Sequence, residues 1–261
     1  MMPATALVSD DIVDAFRSCG IAAGDTLMLH SDAIVAAQFA DLSPGKRLDL
    51  LIEAVLKALG GAGTLIMPTF TYSLARGESF DPAASPSTVG AVTEHFRRRP
   101  GVLRSEDPLF SVAAFGRLAP VFAAAATADC FGPGSAFDLL LRNDGKIACL
   151  GCAFDRITFV HYVEQCKKVD YRYPKRFDGA IIRQGRSEAV SVNYVVRDLA
   201  RETPVDLARL KRKLQDTGKL CSTAIGRVGL TSVKARDFFD AAAALLAEDP
   251  VALIREGARR A

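Results

Sequence analysis

The sequence predicts an α/β layer architecture. Three observations carry the prediction: helical and strand-like apolar patterns alternate through the first two thirds, Gly-rich stops separate them, and 261 residues, 49% hydrophobic, can bury a full core. One large domain, residues 1–261, is expected, since no internal repeat, low-complexity tract or linker interrupts the chain.

The elements follow in order. Asp10 to Ser18 is amphipathic at helical spacing and leads through GIAAGD into the apolar strand TLMLH. GKRLDLLIEAVLKALG has helical periodicity, and GGAG stops it before the strand TLIMP. A loop from Thr69 to Pro86, rich in Gly, Pro and Ser, has the length at which loops commonly carry function. The helix GAVTEHFRRRP closes at Pro100 and Gly101. A strand near FSVAAFG, an alanine-rich helix, the turn GPGS with Ser135 as a cap, the helix FDLLLR and the strand KIACLGC come next. After Asp155 a helix carries ITFVHYVEQ; GAIIRQGRSEAVSVNYVV reads as a hairpin turning near Gln184 to Arg186, and the chain ends in helices.

Several classes are disfavoured. MMPATALVSDDIVDAF has neither a basic n-region nor an apolar h-region, and no apolar run approaches the roughly 20 residues of a membrane span. Six cysteines, several inside apolar stretches, read as small buried hydrophobes of a reducing compartment, so a cytoplasmic location is expected. The absence of a G-x-S-x-G elbow, a Walker A loop and a G-x-G-x-x-G after a strand weakens hydrolase, nucleotide triphosphatase and Rossmann readings. Cys149 and Cys152 form a C-x-x-C, but residues three apart on a strand face opposite sides, so no shared metal is expected.

The net charge of +3 is uneven: Tyr162 to Lys219 holds fourteen Lys/Arg against eight Asp/Glu. Such an excess is either a solvated basic face or a surface that attracts an anionic ligand. Nucleic acid is not expected, because no basic stretch except YRYPKRF is interleaved with stacking aromatics.

The histidines stand at positions 30, 95 and 161. His95, in EHFRRR, is explained by a solvated helix face. His30 ends TLMLH and opens the turn HSDA, at a strand end where ligands often sit; spacing alone favours a structural histidine satisfied by hydrogen bonds. His161 is the strongest candidate for a base, because Thr158, His161, Glu164 and Gln165 share one side of a helix. Glu164 can orient the ring and hold its pKa near or above the ordinary value, and Asp155 is a second orienting carboxylate.

Read together, an ordered series of segments resembles the aminoglycoside 3-N-acetyltransferases, whose fold is unrelated to the common GNAT enzymes. The series runs GDTLMLHSDA, GAGTLIMPTF, FDPAASPSTVGAVTEHFRRRPGVLRS, DPLFSVAAFG, GPGSAFDLL and GKIACLGCAFDRITFVHYVEQ, and spans about Asp11 to Pro250. The resemblance implies a three-layer α/β/α domain with a central mixed sheet, which binds acetyl-coenzyme A and acetylates an amine of an amino sugar without a metal. It places the family's T-x-x-H-x-x-E on Thr158, His161 and Glu164, its H-S turn on His30 and Ser31 with Asp32 and Ala33 following, its M-P-T on Met67 to Thr69, and its R-S on Arg104 and Ser105. Thr69, Arg104, Ser105 and Ser111 are accordingly expected near the coenzyme with the H-S turn. The family's R-S-x-H-P departs here to RSEDP, with Asp107 in the histidine's place.

The expected chemistry is direct transfer: His161 takes a proton from the acceptor ammonium, and the freed amine attacks the thioester. Turn N–H groups after His30 and the hydroxyl of Thr158 or Thr69 are candidate oxyanion donors. Because the chain is most basic just after the catalytic helix, an anionic amino sugar is the expected acceptor, such as a nucleotide-linked sugar of surface polysaccharide synthesis. Two readings stand beside it: an antibiotic 3-N-acetyltransferase with a local acidic pocket, and a non-catalytic protein that binds an anionic ligand. The expected partner is a small amino-sugar acceptor, with no membrane, and a homodimer is left open.

Overall fold

The computed structural model describes residues 7–198, 201 and 203–255. β1 (Thr26–Ser31) lies between two parallel neighbours, β2 (Thr64–Pro68) and β5 (Lys146–Leu150). Outside this centre the pairing turns antiparallel: β4 (Val112–Gly116) on β2, β3 (Leu103–Arg104) on β4, β9 (Val228–Lys234) on β5 and β8 (Leu220–Ile225) on β9. The result is one mixed sheet in the order β3-β4-β2-β1-β5-β9-β8.

Both faces of the central strands are apolar, and the two-residue strand period divides them between two cores. Leu27, Leu29, Leu65, Met67 and Ala148 point to one side, where α1 (Ser9–Ser18), α2 (Pro44–Leu59) and α3 (Ala91–Arg97) bring Phe16, Val55 and Phe96. Met28, Ile66, Ile147 and Cys149 point to the other. There α4 (Ala119–Ala123), α5 (Ala136–Arg142), α6 (Val160–Lys167), α7 (Ala208–Asp216) and α8 (Ala235–Glu248) bring Phe122, Phe137, Val163, Leu210 and Phe238. This is the three-layer α/β/α arrangement that the resemblance implied. Phe16, Phe96, Phe122 and Phe238 are fully buried, each contributing about 2–3 kcal/mol by area removed from water.

Helix boundaries follow local chemistry. Pro44 starts α2, where its missing N–H costs nothing, and Gly60 at φ 63° ends it. Ser135 caps α5, its Oγ accepting from the Asp138 N–H at 3.3 Å, as the GPGS turn predicts.

The hairpin forms as expected and is longer. β6 (Arg172–Arg183) and β7 (Arg186–Arg197) make a separate two-stranded sheet, turning through Gln184 and Gly185, both at positive φ. It docks on the body through Asn193, whose N–H donates to the Ala128 carbonyl at 2.9 Å and whose carbonyl accepts from Cys130 at 3.0 Å.

Two expectations need correction. The chain does not end in helices alone, because β8 and β9 intervene between α7 and α8. LCSTAI and VGLTSVK intersperse Ser and Thr among partly exposed positions, which blurs the apolar alternation that marks a strand. The strand geometry assumed for the two cysteines needs correction as well: β5 stops at Leu150 and Gly151 at φ 69° turns the chain, so Cys152 is no longer a strand residue and the two thiols lie near enough to perturb each other's ionisation. Among the described residues no group of three His, Cys, Asp or Glu side chains is placed to hold a metal ion, and no helix is long and apolar enough to cross a membrane.

Candidate active site

A cavity of about 590 Å³ opens at the carboxyl ends of the parallel strands β1 and β5. That is where ligands bind in open α/β sheets, and the volume falls within the range of small-molecule sites. One wall carries His30, Ser31 and Asp32 at the end of β1; another carries Asp155, Thr158 and His161, between β5 and the first turn of α6. Tyr72, Thr88 and Gly90 close the third side from the long loop.

His161 and Glu164 stand one helical turn apart on α6, and the ring Nδ1 lies 2.7 Å from Glu164 Oε2. The His161 side chain keeps 19% exposure while that of Glu164 keeps none. The helix face read as polar is therefore buried where it matters, with the carboxylate behind the imidazole. Phe131 meets the ring edge-on at 5.6 Å between centroids, and Tyr194 at 6.4 Å. Burial alone would push the Glu164 carboxyl up; bonds from His161 and Tyr171 and the Arg172 charge outweigh it and hold the group below the ordinary carboxylate range.

The imidazole departs from expectation in one respect. Burial depresses its pKa, Glu164 raises it and Arg172 lowers it, and the net position is below the ordinary histidine value rather than near or above it. Loss of hydration outweighs one carboxylate that is already shared with a guanidinium. The ring is thus neutral at pH 7, the state a base requires.

Apart from Ala33, which packs against the core on the α1–α3 side, the other anticipated residues divide into two groups. His30, Ser31, Asp32, Asp155 and Thr158 line the cavity with His161. Asp155 does not orient the ring; its Oδ1 accepts from the Leu207 N–H at 2.8 Å. Asp32 likewise accepts from the Ile34 N–H at 2.9 Å. His30 is buried, which brings its pKa down to about 4, and neither its Nε2 nor the Ser31 hydroxyl has a hydrogen-bond partner among the described residues.

Thr69, Arg104, Ser105 and Ser111 lie elsewhere, in a buried network outside the cavity lining. Arg104 Nε donates to Thr69 Oγ1 and Ser111 Oγ, both at 3.2 Å, and its NH1 and NH2 groups donate to the carbonyls of Ser85 and Thr69, both at 2.6 Å. Ser105 Oγ accepts from Val112 N–H at 2.9 Å. Together they pin the long loop to β3 and β4. Asp107 is also structural: its Oδ1 accepts from the N–H groups of Leu109 and Phe110, both at 2.8 Å. That turn supports the long loop, since the Leu109 carbonyl accepts from Thr71 and Tyr72 and the Pro108 carbonyl from Ser73. Tyr72 is thereby held at φ 54° against the cavity, a conformation bulky side chains rarely adopt.

An imidazole at a cavity edge, backed by a wholly buried carboxylate and flanked by hydroxyls, is an arrangement able to take a proton from a bound acceptor, and it sits on a non-GNAT α/β/α fold. The family model for aminoglycoside 3-N-acetyltransferases matches residues 28–247, and the chain belongs to that family. It is an acetyl-coenzyme A dependent N-acetyltransferase. Aminoglycoside N(3)-acetyltransferase IV of Salmonella sp is 29% identical over 254 residues, covering 96% of this chain and 92% of that one. Aminoglycoside N(3)-acetyltransferase III of Pseudomonas aeruginosa is 32% identical over 200 residues, covering 69% and 72%. Among solved structures, the apoenzyme of aminoglycoside acetyltransferase AAC(3)-IVa superposes with a TM-score of 0.80 at 27% identity, covering 97% of this chain and 93% of that one. A histidine-to-alanine variant of the same enzyme, in complex with a gentamicin, gives 0.78 at 27% identity, covering 97% and 93%.

Proposed function

We propose that this protein acetylates the 3-amine of an aminoglycoside, with His161 as general base, and that the whole chain acts as one cytoplasmic domain. The observation that carries the reading is the 2.7 Å contact of His161 Nδ1 with the buried Glu164, which leaves Nε2 for the substrate. Kinship supports the acceptor: the relatives are named as aminoglycoside acetyltransferases, and the AAC(3)-IVa variant holds gentamicin.

Local charge favours a cationic acceptor over the anionic sugar that the basic segment suggested. Asp32 and Asp155 both line the cavity, with Arg156 the cation among the described lining residues. Many cations of the basic segment are paired: Arg183 with Glu106 and Glu188, Arg209 with Asp249, Lys213 with Glu248 and Lys219 with Asp237. Paired surface charges cast a much weaker field than their count implies.

In the proposed reaction His161 Nε2 accepts one proton from the acceptor ammonium and passes it to solvent; the freed amine then forms a bond to the thioester carbonyl carbon and gives Nε2 its second proton. Glu164 stabilises the imidazolium. Its proton then goes to the departing coenzyme A thiolate as the carbon–sulfur bond breaks, so the ring returns neutral. Two hydroxyls can serve as oxyanion donors: that of Ser31, without a partner among the described residues, and that of Thr158, which makes a long 3.5 Å contact to the Arg156 carbonyl. The N–H groups of Asp32 and Ile34 are already spent on Leu150 and Asp32, and the Thr69 hydroxyl on Ser111. Coenzyme A release with gentamicin, apramycin and a nucleotide-linked amino sugar as acceptors tests the assignment; release with the nucleotide sugar alone would reject it.

A further inference from the structure

Glu164 has more partners than one imidazole needs. Besides His161 on Oε2, it accepts the Tyr171 hydroxyl on Oε1 at 3.0 Å, and Arg172 Nε lies 2.7 Å from Oε2. The Arg172 N–H does not point along that contact, so the pair is held by charge rather than by an aligned hydrogen bond. Arg172 is itself buried and fixed from β7, where its NH1 donates to the Tyr194 hydroxyl and the Val195 carbonyl, both at 3.3 Å. A guanidinium and a carboxylate taken out of water together lose much hydration, and a hydrophobic pair would often serve stability as well. Here the pair converges on the same oxygen that the imidazole uses.

We propose that Arg172 is a positioning residue for acetyl transfer: its guanidinium clamps Glu164 Oε2 toward His161, fixing the ring proton on Nδ1 and leaving Nε2 as the proton acceptor. The inference rests on His161 as the base. Without the clamp, Glu164 Oε2 is fixed only by the ring, so the tautomer is less firmly selected and the whole carboxylate charge acts on the imidazole. With it, the carboxylate divides its charge between imidazole and guanidinium, so the imidazolium formed during transfer is stabilised enough to form and not so much that it keeps its proton.

The groups that set the ring's protonation are Glu164 on its own helix and Arg172, Tyr171 and Tyr194 from the hairpin side. Asp129, which accepts from the Gln165 side chain at 2.7 Å, approaches from the segment before α5. On the other walls of the cavity stand His30, Asp32 and Tyr72, and on the ring's own wall Asp155 and Arg156. Among these, Glu164 raises and Arg172 lowers the imidazole's proton affinity.

The test is the titration of His161 by NMR in the isolated full-length protein, with His161→Ala assigning the signal, alongside kcat/KM against pH. Arg172→Met should move the His161 midpoint and the acidic limb of the profile up together by about one pH unit. Arg172→Lys, which keeps the charge but not the fork, should return the midpoint to the wild-type position while kcat stays reduced. Tyr171→Phe removes only the contact on Oε1, leaves Arg172 in place and should raise the midpoint by no more than a few tenths of a unit; Arg172→Lys keeps the clamp testable if Arg172→Met does not fold. Equal losses of kcat at every pH in both Arg172 variants, with an unmoved midpoint, would make Arg172 merely structural and overturn the proposal. If His161→Ala kept its turnover, the base assignment would fail, while the NMR midpoint would still decide whether Arg172 controls the ring.

Discussion

His161 Nδ1 and Glu164 Oε2 meet at 2.7 Å, with the ring at the cavity edge and the carboxylate sealed from solvent. His161→Ala should lose on the order of 100-fold or more in turnover with coenzyme A binding near normal, the effect of removing a positioned base. Glu164→Gln should cost less turnover. It also leaves Arg172 buried without its charge partner, so its thermal midpoint should drop where that of His161→Ala holds. Calorimetry beside steady-state kinetics separates the two losses.

Asp32 and Asp155 set the charge of the cavity walls. Each accepts one backbone N–H through Oδ1, which an amide oxygen can still do, so Asp32→Asn and Asp155→Asn remove charge and keep the loops. The double variant should raise KM for a polycationic acceptor about tenfold, leave kcat nearly unchanged, and flatten the salt dependence of kcat/KM. Unaltered KM across a salt series would show that these carboxylates do not face the acceptor.

His30 gives the fold an acid sensitivity. Burial holds its pKa down to about 4 against an ordinary 6.5. Below pH 6.5 the unfolded chain therefore takes up a proton that the folded chain refuses, and stability falls as pH drops from 6.5 toward 4. The full loss is on the order of 3 kcal/mol. His30→Gln should flatten the stability–pH curve over that window, measured by urea unfolding; an unchanged slope would show that the ring is solvated.

Asp107 holds a turn rather than a ligand. Asp107→Ala removes the acceptor of two buried N–H groups and should cost about 2 kcal/mol. Burial pushes the carboxyl's pKa up, so its charge is a cost to the fold at neutral pH, and Asp107→Asn should match or exceed wild-type stability there. Denaturant midpoints of the two variants at pH 7 check the order.

The layered fold was readable in the sequence because TLMLH, TLIMP and KIACL are continuous apolar strands between amphipathic helices, a pattern with few solutions. The contact of His161 with Glu164 was readable too: residues three apart on a helix are neighbours. Arg172 was not, because within YRYPKRF a buried cation and a solvated one look alike; only the fold of β6 against α6 tells them apart. Tyr72 gave no signal, since its left-handed backbone is imposed by Pro108 and Leu109 from another part of the chain. Thr69, Arg104 and Ser111 carried polar side chains that suit a ligand and a loop clamp equally well.

The most direct test of the account is product analysis with acetyl-coenzyme A and gentamicin, run for wild type and His161→Ala. The account predicts one coenzyme A released per gentamicin acetylated at the 3-amine, and a rate at least about 100-fold lower in the variant. Gentamicin left unmodified by the wild type while a nucleotide-linked amino sugar is acetylated, or full turnover in His161→Ala, would contradict it.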